Sequence, residues 1–112
     1  METLTIHNTL RDAIDKIGSL KLAEKQVIFV IGDDGRLRGS ITNGDLRRAI
    51  LKGSKLDAGL AHIMNPKPHF ILDSELNHYV DLTSYRDKGI FQIPVIDESD
   101  TLLKTIDARE KI

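Results

Sequence analysis

Two kinds of hydrophobic pattern alternate along the first half of this sequence. An unbroken apolar run at residues 27–31 predicts a buried strand, and residues 4–6, with the sequence LTI, predict a short strand. Between them, apolar side chains recur at helical spacing, which predicts an amphipathic helix that begins near Asn8 or Thr9. The apolar face of this helix is formed by Leu10, Ala13, Ile14, Ile17 and Leu20.

The pattern then changes from a strand pair to a second helix. Residues 32–35, with the sequence GDDG, are typical of a turn. Residues 36–41 alternate between apolar and polar side chains, so they predict a strand paired with the previous one. Residues 43–52 predict the second helix, with Gly53 as its C-terminal stop. Its inward side chains should be Leu46, Ala49 and Ile50.

The second half repeats the first. Val30 and Ile31 correspond to Val95 and Ile96, each pair 65 positions apart. The repeat predicts strands at residues 69–72, 93–96 and 101–106, and a helix at residues 75–88. We therefore expect an α/β (α+β) fold made of tandem β-α-β-β-α units that pack as a pseudo-symmetric pair.

The repeat also sets the expected boundaries. The first unit should span residues 1–56, and the second should span residues 69–112. Residues 57–68 should be a linker with a short helix, made extended at its end by Pro66 and Pro68. The last helix of the second unit would begin near Asp107 and be truncated, so we expect a fragment of a longer protein.

Composition narrows the functional classes. The net charge is −1 and aromatic residues make up 4%, which argues against nucleic acid as a partner. There is no cysteine, and the four histidines lack metal-ligand spacing, so neither a disulfide scaffold nor a metal is expected. No signal peptide or spanning segment is recognisable, so we expect a cytoplasmic protein without a membrane partner. No catalytic constellation is recognisable either, and we expect a non-enzymatic chain.

The candidate site lies at the start of the second helix, where residues 39–48 read GSITNGDLRR. Thr42 and Asp45 have capping-box spacing, and capping alone would explain both. The same helix start could bind a phosphate through its free amides, with Gly39 and Gly44 allowing close approach and Asp45 accepting from sugar hydroxyls. Arg48 could reach a phosphate or be a solvated surface charge.

The second copy keeps the cap without the binding chemistry. Asp107 and Glu110 stand where Thr42 and Asp45 stand in the first copy, and Lys104 replaces the glycine. A carboxylate at a helix N-terminus repels an anion, so the second cleft should be empty or bind something other than a phosphate. The extra features of the first copy therefore favour a ligand there.

The repeat, the strand-turn-strand and the Gly39–Thr42–Asp45 spacing, together with IMNPKP and FQIPVIDE, resemble a tandem pair of CBS domains, a Bateman module. The resemblance implies a regulatory module that binds an adenosine nucleotide (AMP, ADP or ATP) in the first cleft between the repeats. Lys88 would be the one basic residue contributed by the second repeat, and Gln92 stands where Arg is frequent, which argues against tight binding of di- or triphosphates. The site residues implied are Gly39, Ser40, Thr42, Gly44, Asp45, Arg48, Lys88 and Gln92.

The stretch TNGDLRRAILKG is similar to CBS pairs of sugar nucleotidyltransferases and of sugar-phosphate isomerases. A pair at the N-terminus favours the first, so the expected partners are a C-terminal catalytic domain and a second copy in a homodimer. The alternatives are the CBS pair of an isomerase, and a structural dimerisation module that binds no ligand.

Overall fold

The computed structural model describes residues 2–19, 27–77 and 81–109, so the predictions made for Leu20, His78 and Glu110 lie outside it. The chain divides into two units, Glu2–Pro68 and His69–Ile112. Each contains one three-stranded sheet and at least one helix. The mixed α+β architecture predicted from the repeat is confirmed. None of the described helices is long and apolar enough to cross a membrane.

The first unit contains the predicted strands and helices, mostly one or two residues shorter than expected. Its strands are β1 (Thr3–Thr5), β2 (Ile28–Ile31) and β3 (Leu37–Ile41). Its helices are α1 (Leu10–Ser19), α2 (Asn43–Leu51) and a single 3-10 turn (Leu60–His62). The sheet order is β1-β2-β3, with β1 parallel and β3 antiparallel to β2. This topology places the start of α2 directly after the end of an edge strand.

Helices α1 and α2 bury their apolar faces in the core of this unit. The buried members of the core are Leu10, Ala13, Ile17, Ile28, Val30, Ile41, Leu46, Ala49 and Leu60. The prediction for Ile50 is wrong, because this side chain is 56% exposed. Leu46 and Ala49 already fill the inward stripe of α2, and Ile50 lies at its edge. There it lines, with Ile14 and Ile17, a surface groove of about 450 Å³.

Residues 54–65 pack against the first unit rather than standing apart from it. Leu60 is fully buried, and the predicted short helix is the 3-10 turn around it. The carbonyl of Ala58 accepts a hydrogen bond from the Leu10 amide at 2.9 Å. Further on, Asn65 and Ser40 exchange backbone hydrogen bonds of 2.8 and 3.0 Å. This segment therefore covers both the start of α1 and the outer edge of β3.

The second unit has a smaller core and shorter helices. Its strands are β4 (Ile71–Leu72), β5 (Gln92–Ile96) and β6 (Leu102–Asp107), in the order β4-β5-β6. Its helical elements are a 3-10 helix (Asp73–Asn77) and α3 (Thr83–Asp87). The buried core cluster comprises Ile71, Leu82, Ile93 and Ala108.

The prediction of one continuous helix over residues 75–88 is wrong. The Asp81 carboxylate accepts from the Thr83 amide at 2.9 Å, and this local turn starts α3 anew. This hydrogen bond is the main cause that lowers the pKa of Asp81. Asp107 is the last residue of β6, and most of the final helix predicted to follow it lies outside the described residues.

Candidate functional site

The start of α2 is held by a complete capping box. Thr42 has extended backbone angles, and its Oγ1 accepts from the Asp45 amide at 3.4 Å. In return, Asp45 Oδ2 accepts from the Thr42 amide at 2.9 Å and from Thr42 Oγ1 at 3.1 Å. The capping box predicted from the sequence is therefore present, and it fixes the Asp45 carboxylate at the first turn of α2.

The other oxygen of Asp45 is held by Arg48. Arg48 Nη2 donates to Asp45 Oδ1 at 2.6 Å, and the Asp45 side chain is 12% exposed against 64% for Arg48. The guanidinium also lies over Gly44, since a Cβ placed there would be 3.4 Å from Arg48 Nη1. Sequence reasoning assigned Arg48 to a phosphate and missed this ion pair. The i, i+3 spacing of Asp45 and Arg48 was the signal that could have revealed it.

Helix α1 begins with the same box, which sequence reasoning also missed. Thr9 and Asp12 have the spacing of Thr42 and Asp45. The Thr9 amide donates to Asp12 Oδ2 at 2.9 Å, and the Asp12 amide donates to Thr9 Oγ1 at 3.3 Å. The hydrogen bond from the Thr9 amide, followed by one from the Asn8 side chain, lowers the pKa of Asp12.

The two helix starts differ in what lies in front of them. At α1, the amides of Leu10 and Arg11 donate to the carbonyls of Ala58 and Leu56 at 2.9 and 3.0 Å. At α2, no carbonyl outside the helix accepts from the Gly44 amide within the described residues. The N-terminus of α1 is thus closed by the chain itself, whereas the second position of α2 offers a donor to solvent.

The structure gives an intramolecular reason for Gly39. A Cβ at this position would lie 2.6 Å from the Asn65 carbonyl oxygen and 2.7 Å from Met64 Sδ. A ligand was expected to approach the backbone closely at Gly39, but residues 64 and 65 occupy that space instead. Ser40 is 8% exposed, and its amide and carbonyl are bonded to Asn65. The side chains brought together at the open end of α2 are therefore those of Thr42, Asp45 and Arg48, next to Gly44.

The remaining predicted site residues belong to the second unit. Lys88 is the exposed C-cap of α3, and Gln92 Nε2 donates to Asp107 Oδ2 at 3.3 Å. Asp107 Oδ1 also accepts from the backbone amide and Nε of Arg109, each at 2.9 Å. Arg109 lies 5.4 Å from the centroid of the Phe91 ring. The carboxylate that replaces Thr42 in the second copy is therefore paired with its own neighbours.

Two of the described histidines, His7 and His69, make separate contacts. His7 Nε2 lies 2.9 Å from Asp33 Oδ1 on the surface, and the His69 ring meets Tyr85 edge-on at 6.0 Å. Among the described residues there is no group of three His, Cys, Asp or Glu side chains that could hold a metal ion.

Comparison with known proteins identifies the fold. Residues 1–52 match the family model of the CBS domain. No curated protein matches the sequence. The chain is similar in structure to Staphylococcus aureus OpuCA, with a TM-score of 0.72, 18% identity, and coverage of 95% of this chain and 84% of that one.

Two further similar structures contain a nucleotide. The CBS domain protein PAE2072 from Pyrobaculum aerophilum, complexed with AMP, has a TM-score of 0.68 at 19% identity, over 96% of this chain and 80% of its own. CBSX2 in complex with AMP has a TM-score of 0.66 at 18% identity, over 96% of this chain and 81% of its own. The family model therefore shows similarity to the CBS domain over the first part of the chain, and these structures show that the chain shares their fold.

Proposed function

We propose that this chain is a regulatory module that binds an adenosine nucleotide at the start of α2 and thereby modulates an attached enzyme. The observation that carries the proposal is that α1 and α2 begin with the same kind of capping box but differ in what lies in front of it. The chain closes the start of α1 with its own carbonyls, and it leaves the Gly44 amide of α2 open beside an anchored carboxylate and a guanidinium.

The open end of α2 has the chemistry that a nucleotide requires. The Gly44 amide and the positive end of the helix dipole favour a phosphate. Arg48 adds a mobile positive charge, and it is the residue type best suited to bind phosphate oxygens in pairs. Asp45 is a fixed acceptor for ribose hydroxyls. Two proteins of the same fold are complexed with AMP, which supports the choice of an adenosine nucleotide.

The number of positive charges favours a monophosphate. Among the described residues, Arg48 is the one cation whose guanidinium lies over the first turn of α2, and Arg47 lies in the groove with Ile14 and Ile17. A di- or triphosphate would bring further negative charges to a single guanidinium. We therefore expect AMP to bind more tightly than ATP, with Lys88 and Gln92 as further predicted contacts.

Isothermal titration with AMP, ADP and ATP tests this function. Asp45→Ala should abolish measurable AMP binding, because it removes the ribose acceptor. Asp12→Ala is the matched control, since it removes the carboxylate of the same capping box at α1. Each variant should lose about 1 kcal/mol of stability, so a common loss of folding would be visible in both. If wild-type protein binds no adenosine nucleotide, the chain is a structural module instead. If both variants bind AMP equally well, the site is misplaced.

We further propose that the module forms a homodimer through the first unit. Ile50 and Leu51 are 56% and 79% exposed, and they border the apolar groove between α1 and α2. Clustered apolar side chains of this kind are typical of protein interfaces. Leu51→Glu should convert a dimer to a monomer in sedimentation velocity. Leu103→Glu, at a 44% exposed position in the second unit, should leave the dimer intact.

The proposed enzyme partner is a sugar-phosphate nucleotidyltransferase that follows the module in the same protein. The support is the resemblance of TNGDLRRAILKG, and the alternative is a sugar-phosphate isomerase. Assaying both reactions on the full-length protein, with and without AMP, distinguishes the two. The absence of both activities would refute these two enzyme partners, and an activity that AMP does not change would refute a regulatory role.

A further inference from the structure

The hydrogen bonds of Asp45 limit what its carboxylate can accept. A carboxylate offers about four acceptor positions. Thr42 fills two on Oδ2 through its amide and Oγ1, and Arg48 fills one on Oδ1. One position remains, whereas a ribose diol brings two donors. The Thr42 bonds hold the helix cap, so full acceptance of the diol requires that Arg48 leaves.

Arg48 can leave Asp45 only if its guanidinium finds another acceptor. Among the described residues, Asp45 is the one side chain that accepts from its guanidinium. The Arg48 side chain is 64% exposed, and its guanidinium lies over Gly44, at the helix end where an anion is attracted. An exposed ion pair is weak enough to be exchanged by a bound ligand. A nucleoside offers no anion for this exchange, whereas a nucleotide brings its own phosphate.

We propose that Arg48 is the specificity-determining residue of the nucleotide site, and the proposal rests on the function inferred above. In the free protein, Arg48 is hydrogen-bonded to Asp45 and so disfavours the binding of a nucleoside that lacks a phosphate. A nucleotide releases Asp45, because its phosphate accepts the guanidinium in exchange. The site therefore selects phosphorylated adenosine through one side chain that competes with the sugar and binds the phosphate.

The test compares AMP and adenosine by isothermal titration in three proteins. Wild type should bind AMP more tightly than adenosine. In Arg48→Gln, AMP affinity should fall about tenfold through loss of a charge-assisted bond. Adenosine affinity should rise by up to about fivefold, because the competing ion pair is gone. Arg47→Gln removes the same charge from the adjacent position, where the side chain lies in the α1–α2 groove. It should change neither the AMP affinity nor the adenosine affinity. Thermal unfolding followed by circular dichroism checks that both variants are folded.

The outcomes separate this inference from the proposed function. If wild type binds neither ligand, both are overturned. If wild type binds AMP but Arg48→Gln weakens AMP and adenosine by the same factor, or changes neither, the nucleotide site stands and the role of Arg48 is overturned. Equal loss of AMP binding in Arg47→Gln and Arg48→Gln would show a general charge effect, which also overturns it.

Discussion

Helices α1 and α2 start with the same four-residue device, and only one of them is left open. Thr9 and Asp12 make the same reciprocal bonds as Thr42 and Asp45. Two carbonyls of the segment after α2 accept from the first turn of α1, whereas no carbonyl of the described residues outside α2 accepts from the Gly44 amide. A capping box therefore marks where a helix begins. Whether it can also bind a ligand depends on what the rest of the fold puts in front of it.

The largest effect should come from loosening the segment that closes α1. Leu60 is fully buried and anchors the segment that carries the Leu56 and Ala58 carbonyls. Leu60→Ala should cost about 2–5 kcal/mol of unfolding free energy, measured with urea, because it leaves a cavity. Amide exchange at Leu10 and Arg11 should accelerate more than at Asp45. Leu56→Ala, at a 53% exposed side chain, is the control and should cost less than about 0.5 kcal/mol. Equal costs would show that Leu60 does not anchor the segment.

The next effect concerns the contact of Met64 and Asn65 with Gly39 on β3, the strand that precedes α2. Gly39→Ala would place a methyl 2.6 Å from the Asn65 carbonyl oxygen, which is backbone and cannot rotate away. We expect a loss of about 1–3 kcal/mol in urea unfolding, as is usual for overpacking. Gly59→Ala is the control, because a Cβ there meets nothing within 4 Å. Wild-type stability in Gly39→Ala would remove the intramolecular reason for this glycine.

Periodicity predicted most of the first unit because its strands and helices bury regular apolar faces. It failed at Ile50, since two inward residues already fill the core beneath α2. It also failed over residues 75–88, where the described residues contain a 3-10 helix that ends at Asn77 and a separate helix α3 that follows the Asp81 turn. Local hydrogen bonding decided that boundary, and the apolar pattern across it carried no sign of the break.

The sequence predicted that the candidate site is a helix start, but not which of its residues are covered by other parts of the chain. The spacing of Thr42 and Asp45 predicted the capping box, which the structure contains. The closing of α1 by Leu56 and Ala58, and the contact of Asn65 with Ser40, join residues far apart in sequence. No local pattern indicates such contacts, so sequence reasoning could not tell that Gly39 and Ser40 are covered while Gly44 is open.

A smaller effect, of opposite sign, is expected at Gly44. A Cβ there meets Arg48 and Thr42 at 3.4 and 3.6 Å, which are ordinary contacts. Gly44→Ala should therefore raise stability by about 0.5 kcal/mol by restricting the unfolded chain. The same methyl would stand at the open amide and should weaken AMP binding in titration. Gly18→Ala in α1 is the matched control, since a Cβ there is accommodated without a close contact, and its AMP affinity should not change. Unchanged AMP affinity in Gly44→Ala would place the phosphate elsewhere.

The smallest effect should be the response of the closed helix start to acid. The Thr9 amide and the Asn8 side chain lower the pKa of Asp12 below its ordinary value of 3.8. A lowered pKa means that the carboxylate stabilises the fold above its unfolded pKa, and that this contribution is lost as pH falls through the folded pKa. The Asp12 carboxyl ¹³C shift and the Thr9 amide ¹H shift should titrate together, with a midpoint below 3.8. In Asp12→Asn the Thr9 amide should stop titrating, and a Thr9 titration that persists there would mean that another carboxylate governs the cap of α1.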